Sequence, residues 1–466
     1  MDKRPNVVMI MCDDHAYQCI SAYADTVIKT ENIDRIAKEG ARLDACCCTN
    51  SICSPSRANI LSGLYSHKNG VMCLEDNFDN RQKTFAHVFH EQGYQTALIG
   101  KWHLGHEKEN YPRGFDHWEV LYGQGEYVNP RFQTAEGTIH TKGYATDIIS
   151  QKSCDWIKAR DKEKPFLLLS WHKAPHRPCI PAEKYKDIYK DVKFPEPETF
   201  DDDYSDRSPA AERATMRFFD LEPEDYKKPK PSFSSKAEEK RWIYQRYMQD
   251  YWACLKSLDD ATAAMLDCLD EEGIAENTIL IYTSDQGFYT GEHGWFDKRF
   301  IYEESIRMPF LIRYPKKIKA GSVFKQQVAN IDFGKTLLEL CGIDPELFPC
   351  DGESFADVLT GDGKGREYIY YRYYDYPSIH NVYPHIGLRS PRYTLACFYR
   401  PDEKGEIIEG PWWELFDRTE DPNQLHNLAE DEAYQAVFAK LQRALRDEIR
   451  KADDTLPEAV QQSFKY

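Results

Sequence analysis

Four short apolar runs each end in residues able to do chemistry. Val7–Met11 leads into Asp13-Asp14, and Ala97–Ile99 into Gly100-Lys101-Trp102-His103. Phe166–Ser170 leads into Trp171-His172-Lys173-Ala174-Pro175-His176, and Ile279–Thr283 into Ser284-Asp285-Gln286-Gly287. Runs that are continuous rather than alternating read as parallel strands buried on both faces. Open α/β sheets bind ligands beyond the carboxyl ends of their strands. If the four strands are parallel neighbours, three acids, an amide, two lysines and up to three histidines converge at one edge. Adjacent carboxylates repel unless a cation lies between them. Oxygen donors such as Asp13, Asp14, Asp285 and Gln286 suit a hard divalent ion, Ca²⁺ or Mg²⁺, better than zinc.

A fifth segment, Cys53-Ser54-Pro55-Ser56-Arg57, precedes a helical pattern. Proline fits a first helical turn, which puts Cys53 at a helix N-terminus, a favourable place for a thiolate or a bound anion. A cysteine phosphatase does not fit. Its phosphate loop spaces cysteine and arginine by five residues, whereas here three intervene and the required place holds Asn59.

The elements that position these residues are legible in outline. A helical pattern from about Arg241 to Glu272 carries Ile243, Tyr247, Tyr251, Leu255, Leu258, Leu266 and Leu269, with Gly273 placed to stop it. Phe310–Ile312 reads as a further buried parallel strand. Strands alternating with helices predict an α/β domain with a mostly parallel sheet. Residues 193–240, rich in Pro, Ser and charge, read as a surface insertion or lid. A Gly-rich stretch near residue 360 separates a catalytic domain, 1–360, from a smaller α+β domain, 361–466. The latter carries β-rich runs at Tyr368–Tyr374, Tyr393–Phe398 and Trp412–Phe416 and a helix from about Glu430 to Lys451.

Composition narrows the function. Of 466 residues, 41% are hydrophobic, enough for a sizeable core. The net charge of -17, without any Lys/Arg block, argues against a nucleic-acid binder. No apolar run approaches a membrane span. The 14 cysteines form no CxxC pair, so reduced, mostly buried thiols are expected. Val7–Met11 is too short for a signal-peptide core, so the expectation is a cytoplasmic protein, or a periplasmic one if a leader has been removed.

Cys53 to Arg57, continuing to Leu61-Ser62-Gly63, closely resembles the C-x-P-x-R signature of type I sulfatases. The resemblance extends through PNVVMIMCDDH, GKWHLG (100–105), KAPHRP (173–178), TSDQG (283–287), Lys298 and YEESIRMP (302–309). It implies an alkaline-phosphatase-like α/β fold with a small C-terminal antiparallel sheet. It also implies conversion of Cys53 to formylglycine by a maturation enzyme. A seryl nucleophile would form a sulfate ester that is itself hard to hydrolyse. One hydroxyl of the hydrated aldehyde instead attacks sulfur, and deprotonation of the other expels sulfate and regenerates the aldehyde.

By the same resemblance, Asp13, Asp14, Asp285 and Gln286, with residue 53, hold Ca²⁺ (Mg²⁺ being the alternative). Arg57 orients the formylglycine, Lys101 and Lys298 clamp sulfate oxygens, His103 assists the collapse, and His176 protonates the leaving oxygen. His172, four residues earlier, is the other histidine able to face the site. His15 and His67 read as structural and His293 as either. GFDHW (114–118) and PHIGLR (384–389) resemble bacterial sulfatases acting on carbohydrates, which makes His385 and Arg389 candidate sugar contacts. The expected substrate is a sulfated carbohydrate, small or oligomeric, of glycosaminoglycan type. The alternatives are an aryl or choline sulfatase or a phosphonate monoesterase. A binding protein without catalysis is disfavoured because every catalytic position is occupied.

Overall fold

A computed structural model describes residues 3–466. The large sheet contains β1 (Asn6–Asp13), β2 (Ala41–Cys47), β3 (Gln95–Lys101), β4 (His117–Leu121), β5 (Arg131–Thr134), β6 (Gly137–His140), β7 (Phe166–Pro175) and β8 (Thr278–Ser284). Its centre runs β8–β1–β7–β3–β4, all parallel. Every residue of β1, β7 and β8 is buried, because helices cover both faces, and that is why these strands read as unbroken apolar runs.

The register aligns the strand ends. Met11 lies between Trp171 and Thr283, Cys12 lies beside Ser284, and Gly100 lies beside Trp171. Gly100 has φ +116°, and a Cβ there would stand 1.8 Å from the Trp171 carbonyl oxygen. Only glycine lets β3 turn so close to β7 just before Lys101.

The strand Phe310–Arg313 corrects one expectation. It lies between β8 and β2 but runs antiparallel to both. A short buried apolar run carries no information about direction. Beyond it, Ser322–Ala329 pairs parallel to β2, while β5 and β6 finish the opposite edge antiparallel.

The helix Lys236–Glu271 packs on one face with Ala145–Ala159. All seven of its expected apolar positions are buried. It starts five residues before the periodicity does, because the Ser235 side chain caps it by accepting from the Glu238 amide at 3.2 Å. Gly273, at φ +66°, follows its last turn. The other face is covered by Cys53–Ser62, Phe85–Glu91 and Phe333–Leu340.

After Ala356–Thr360 the chain forms a four-stranded antiparallel sheet, Ile369–Tyr373, His385–Arg389, Tyr393–Pro401 and Ile407–Asp417, followed by the helix Gln435–Lys451. Residues 193–235 contain only short helices and the long helix begins at Lys236, inside the expected insertion, yet Phe194, Phe200 and Phe218 are buried and Tyr204 stacks on Trp295 at 5.2 Å. The segment is thus packed onto the domain rather than lying loose over it. All cysteines are free thiols, and all but Cys73 and Cys350 are buried. Among the described residues no helix is long and apolar enough to cross a membrane.

Candidate active site

The aligned strand ends bring the acids together. Asp13 closes β1, and Asp14 follows at φ +72°. That strained backbone is held by Tyr251 of the long helix, whose hydroxyl donates to the Asp14 carbonyl (2.8 Å) and accepts from the Ala16 amide (3.0 Å). Carboxylate oxygens of Asp13, Asp14 and Asp285 lie within 4.8 Å of one another. Burial, then the neighbouring Asp13, pushes Asp285 up to about 7. Burial pushes Asp14 up to about 6, with Asp13 adding to the effect and Lys298 opposing it. Burial acts on Asp13 as well, but Lys101, His176 and Arg57 outweigh it and hold Asp13 well below the usual carboxylate range.

Asp13 Oδ1, Asp14 Oδ2 and Gln286 Oε1 are buried without a hydrogen-bond partner. Orphaned oxygens are rare in a native interior. Three such oxygens at one site, all hard donors, fit a divalent cation of the Ca²⁺ or Mg²⁺ type.

Cys53 opens the fully buried helix Cys53–Ser62. Ser56 Oγ donates to the Asp285 carbonyl and accepts from Asn330 Nδ2 at 2.9 Å. Arg57 Nε donates to Asp285 Oδ2 (3.0 Å) and Nη1 to the Lys101 carbonyl (2.8 Å), with the guanidinium over Trp171. The helix is therefore pinned to the ends of β8 and β3. Atoms of Cys53, Asp13 and His176 lie within 4.8 Å of one another. The expected favourable thiolate is not found: burial and Asp13 push the Cys53 thiol up despite the helix N-terminus.

Lys101 pairs with Asp13 and donates to Gln124 Oε1 at 2.5 Å. Lys298 pairs with Asp14 at 2.6 Å; burial opposes its charge, but Asp14 and Asp297 hold the ammonium well above its usual range. His103 sits at φ +58° with Nδ1 3.3 Å from Ser54 Oγ, and burial, then Lys101, keeps it neutral. His176 Nδ1 donates to the Arg177 carbonyl at 2.5 Å, and Nε2 lies 3.9 Å from Asp14. Burial, with Lys101 and Lys173, keeps this imidazole neutral as well, against the pull of Asp13.

Three of the sequence candidates do not reach this cluster. His172 is buried on β7, brought down to about 3 by burial alone, with no charged group of the site acting on it. His385 is packed between Phe300, Tyr371 and Phe398, and its Nδ1 donates to the Tyr383 carbonyl. Arg389 is a buried strand residue paired with Glu303 at 2.5 and 2.9 Å and with Gln327 at 2.8 Å. All three guanidinium nitrogens of Arg389 are engaged, and His385 is fully buried with Nε2 left without a partner, so neither meets a sugar from solvent. Arg389→Ala is expected to lower unfolding stability by up to about 3–5 kcal/mol, because buried Glu303 would lose its two-pronged partner and keep Arg418 at 3.2 Å. Urea unfolding reads that loss, and KM should stay unchanged. A raised KM at full stability would return Arg389 to the substrate.

His15 is bonded to Tyr282 at 2.7 Å and His67 to the Ala452 carbonyl at 2.9 Å, both structural as read. His293 is structural too: its Nδ1 donates to Asp202 Oδ2 of the insertion at 2.9 Å, and Arg207 pairs with the same carboxylate.

Sequence reasoning placed Lys173 at this edge but gave it no role; it is buried over the Tyr127 ring and brought down to about 8 by burial and Lys101. It missed Gln124, and the His380–Asp297–Arg299–Asp375 chain beside Lys298. Lys173, Gln124 (in QGEYVNP, 124–130) and Asp375 (in YYRYYDYP, 370–377) stood in segments that share the resemblance; His380, Asp297 and Arg299 carried no local signal.

Glu304 lies in the same motif as Glu303 and is pushed up to about 8 by burial and Glu292. Folded protein therefore holds a proton there that the unfolded chain releases above its ordinary carboxylate range. This makes stability fall as pH rises toward about 8. Relative to wild type, Glu304→Gln should gain up to about 1.4 kcal/mol per pH unit between about pH 5 and about pH 8. Urea unfolding across that range checks this, and parallel curves would contradict it.

A family model described as sulfatase matches residues 5–343, and one described as N-sulphoglucosamine sulphohydrolase, C-terminal, matches residues 291–451. N-acetylglucosamine-6-O-sulfatase of Bacteroides thetaiotaomicron is 38% identical, over 98% of this chain and 88% of that protein. N-acetylglucosamine-6-sulfatase of Capra hircus is 26% identical, over 92% of this chain and 80% of that one. A protein solved in complex with its substrate, D-glucosamine-2-N,6-O-disulfate, superposes with a TM-score of 0.91 at 38% identity, covering 98% of this chain and 99% of the other. The phosphonate monoester hydrolase of Agrobacterium radiobacter shares the fold alone, with a TM-score of 0.74 at 19% identity over 96% of each chain.

Proposed function

The chain belongs to the sulfatase family, and from that premise we propose that it hydrolyses the 6-O-sulfate ester of a glucosamine unit in a sulfated glycan. The observation that carries the chemistry is the set of orphaned oxygens of Asp13, Asp14 and Gln286 beside Cys53. The substrate assignment is supported by the relative at 38% identity and by the sulfated glucosamine bound to the similar structure.

In this reading Asp13, Asp14, Asp285 and Gln286 hold Ca²⁺, or Mg²⁺ in its place. When bound, such an ion polarises the sulfate and lowers the pKa of a coordinated hydroxyl. Residue 53, oxidised to formylglycine, supplies the attacking oxygen that its buried thiol does not. Because Cys53–Ser62 is buried throughout, the maturation enzyme must meet the segment before it folds.

Lys101 and Lys298 bind the sulfate oxygens, where exclusion of water strengthens their hold. Arg57 fixes residue 53 against Asp285. His103, kept neutral, accepts the proton of the second hydroxyl. His176 keeps Nδ1–H on a backbone carbonyl and so presents Nε2 to the leaving oxygen. To donate from Nε2 the ring must first take up a proton there from solvent, and the bound sulfate anion, adding to the pull of Asp13, favours that charged form.

The test is sulfate release from a panel: glucosamine sulfated singly at the 6-O, 3-O or 2-N position, an aryl sulfate, choline sulfate and a phosphonate monoester. Release from the 6-O position at least about 100-fold faster than from any other compound is the expected result. Faster turnover of another position, or of a compound that is not a sugar, would overturn the assignment.

A further inference from the structure

Residues 193–240 reach the active site at one place. Asp225, fully buried in the short helix Pro223–Tyr226, accepts from Arg177 Nε at 3.0 Å and from Arg177 Nη2 at 2.5 Å. Its carboxylate also accepts from the Glu222 amide at 3.1 Å, so its own orientation is fixed. The Arg177 guanidinium lies over the buried Phe296 ring. Two residues on, Lys227 donates to the Cys179 carbonyl at 2.6 Å and pairs with Asp250 of the long helix at 2.9 Å. The Tyr127 hydroxyl donates to the His176 carbonyl at 2.7 Å. The segment from His176 to Cys179 is thus held at three successive points, two of them from the insertion. Between them stands the Arg177 carbonyl that accepts from His176 Nδ1 and sets which imidazole nitrogen faces the site.

We infer that Asp225, acting through its two-pronged pair with Arg177, is a positioning residue that aims His176 Nε2 at the leaving oxygen. The inference rests on the reading of His176 as the proton donor. A bidentate arginine–carboxylate pair fixes direction as well as distance. Proton transfer from a positioned side chain is worth about 10²–10⁴-fold, and a displacement of about 1 Å removes about 10²-fold. The insertion is therefore a buttress of the catalytic loop.

The experiment is a double-mutant cycle on full-length protein with residue 53 confirmed as formylglycine, using glucosamine 6-O-sulfate under single-turnover and steady-state conditions. Asp225→Asn should lower kcat about 100-fold with KM changed less than about threefold. His176→Ala should lower kcat by about 10²–10⁴-fold. In the His176→Ala background, Asp225→Asn should cost no more than about threefold, because residues acting as a unit are not additive. Full multiplication of the two effects would show that Asp225 acts on the fold and not through His176, and would overturn the inference. A raised KM at unchanged kcat would make Arg177 a substrate contact and would overturn it too. If His176→Ala itself leaves kcat unchanged, the reading of His176 fails, separately from the link to Asp225. Thermal melts of all four proteins confirm folding at the assay temperature. If Asp225→Asn does not fold, Arg177→Lys enters the same cycle, keeping the charge but losing the planar fork that makes two parallel bonds.

Discussion

Cys53→Ala is expected to lower turnover of a 6-O-sulfated glucosamine by at least about 10⁴-fold, the scale on which removing a covalent nucleophile acts. The surroundings of residue 53 give the reason. Arg57, Lys101, Lys298 and His176 converge on its position, and each is held in place by partners other than Cys53. The variant should therefore fold and melt near wild type while losing the reaction. Cys53→Ser should be as inactive at steady state, for a different reason: its hydroxyl lacks the second oxygen needed to expel sulfate. Any reaction it undergoes ends as a sulfate ester on residue 53, visible by peptide mass spectrometry. Turnover within tenfold of wild type in either variant would contradict the covalent route.

The second large effect concerns the cation. Chelation should abolish at least about 10³-fold of the activity, about 4 kcal/mol of transition-state stabilisation, and added Ca²⁺ should restore it. The same treatment should lower stability. Three buried carboxylates stand within 4.8 Å of one another, and without an ion their repulsion is offset chiefly by lysine and arginine partners. Ca²⁺ at about 100 times its Kd should raise unfolding stability by about 2.7 kcal/mol, because the unfolded chain does not assemble the site. Asp285→Asn should weaken that response and leave Arg57 without its main partner. Activity and melting temperature that do not change on chelation would contradict a cation held by these residues.

How much of this was legible in the sequence depended on whether the signal was local. The central strands were legible because burial on both faces leaves an unbroken apolar run. Their convergence was legible because each run was followed at once by polar residues that a parallel sheet delivers to one edge. The direction of Phe310–Arg313 was not, since an apolar run reads the same either way. His385 and Arg389 misled because aromatic and charged residues in a strand look alike whether they meet a sugar or each other. In the fold, Arg389 faces Glu303, far away in sequence, and no local pattern announces such a pair. The polar composition of residues 193–240 likewise hid Asp225, whose partner Arg177 lies 48 residues earlier. Tyr251 was read correctly as a buried position of the long helix, but its hydroxyl bond to the Asp14 backbone belongs to the tertiary structure alone.

The most direct measurement relates turnover to the chemistry of residue 53. Protein made with and without a formylglycine-generating enzyme yields preparations that differ in the aldehyde fraction at that position, which peptide mass spectrometry quantifies. Sulfate release from glucosamine 6-O-sulfate is then measured on each preparation. A straight line through the origin, activity against aldehyde fraction, is the predicted result. Full activity in a preparation whose residue 53 remains a thiol would contradict it.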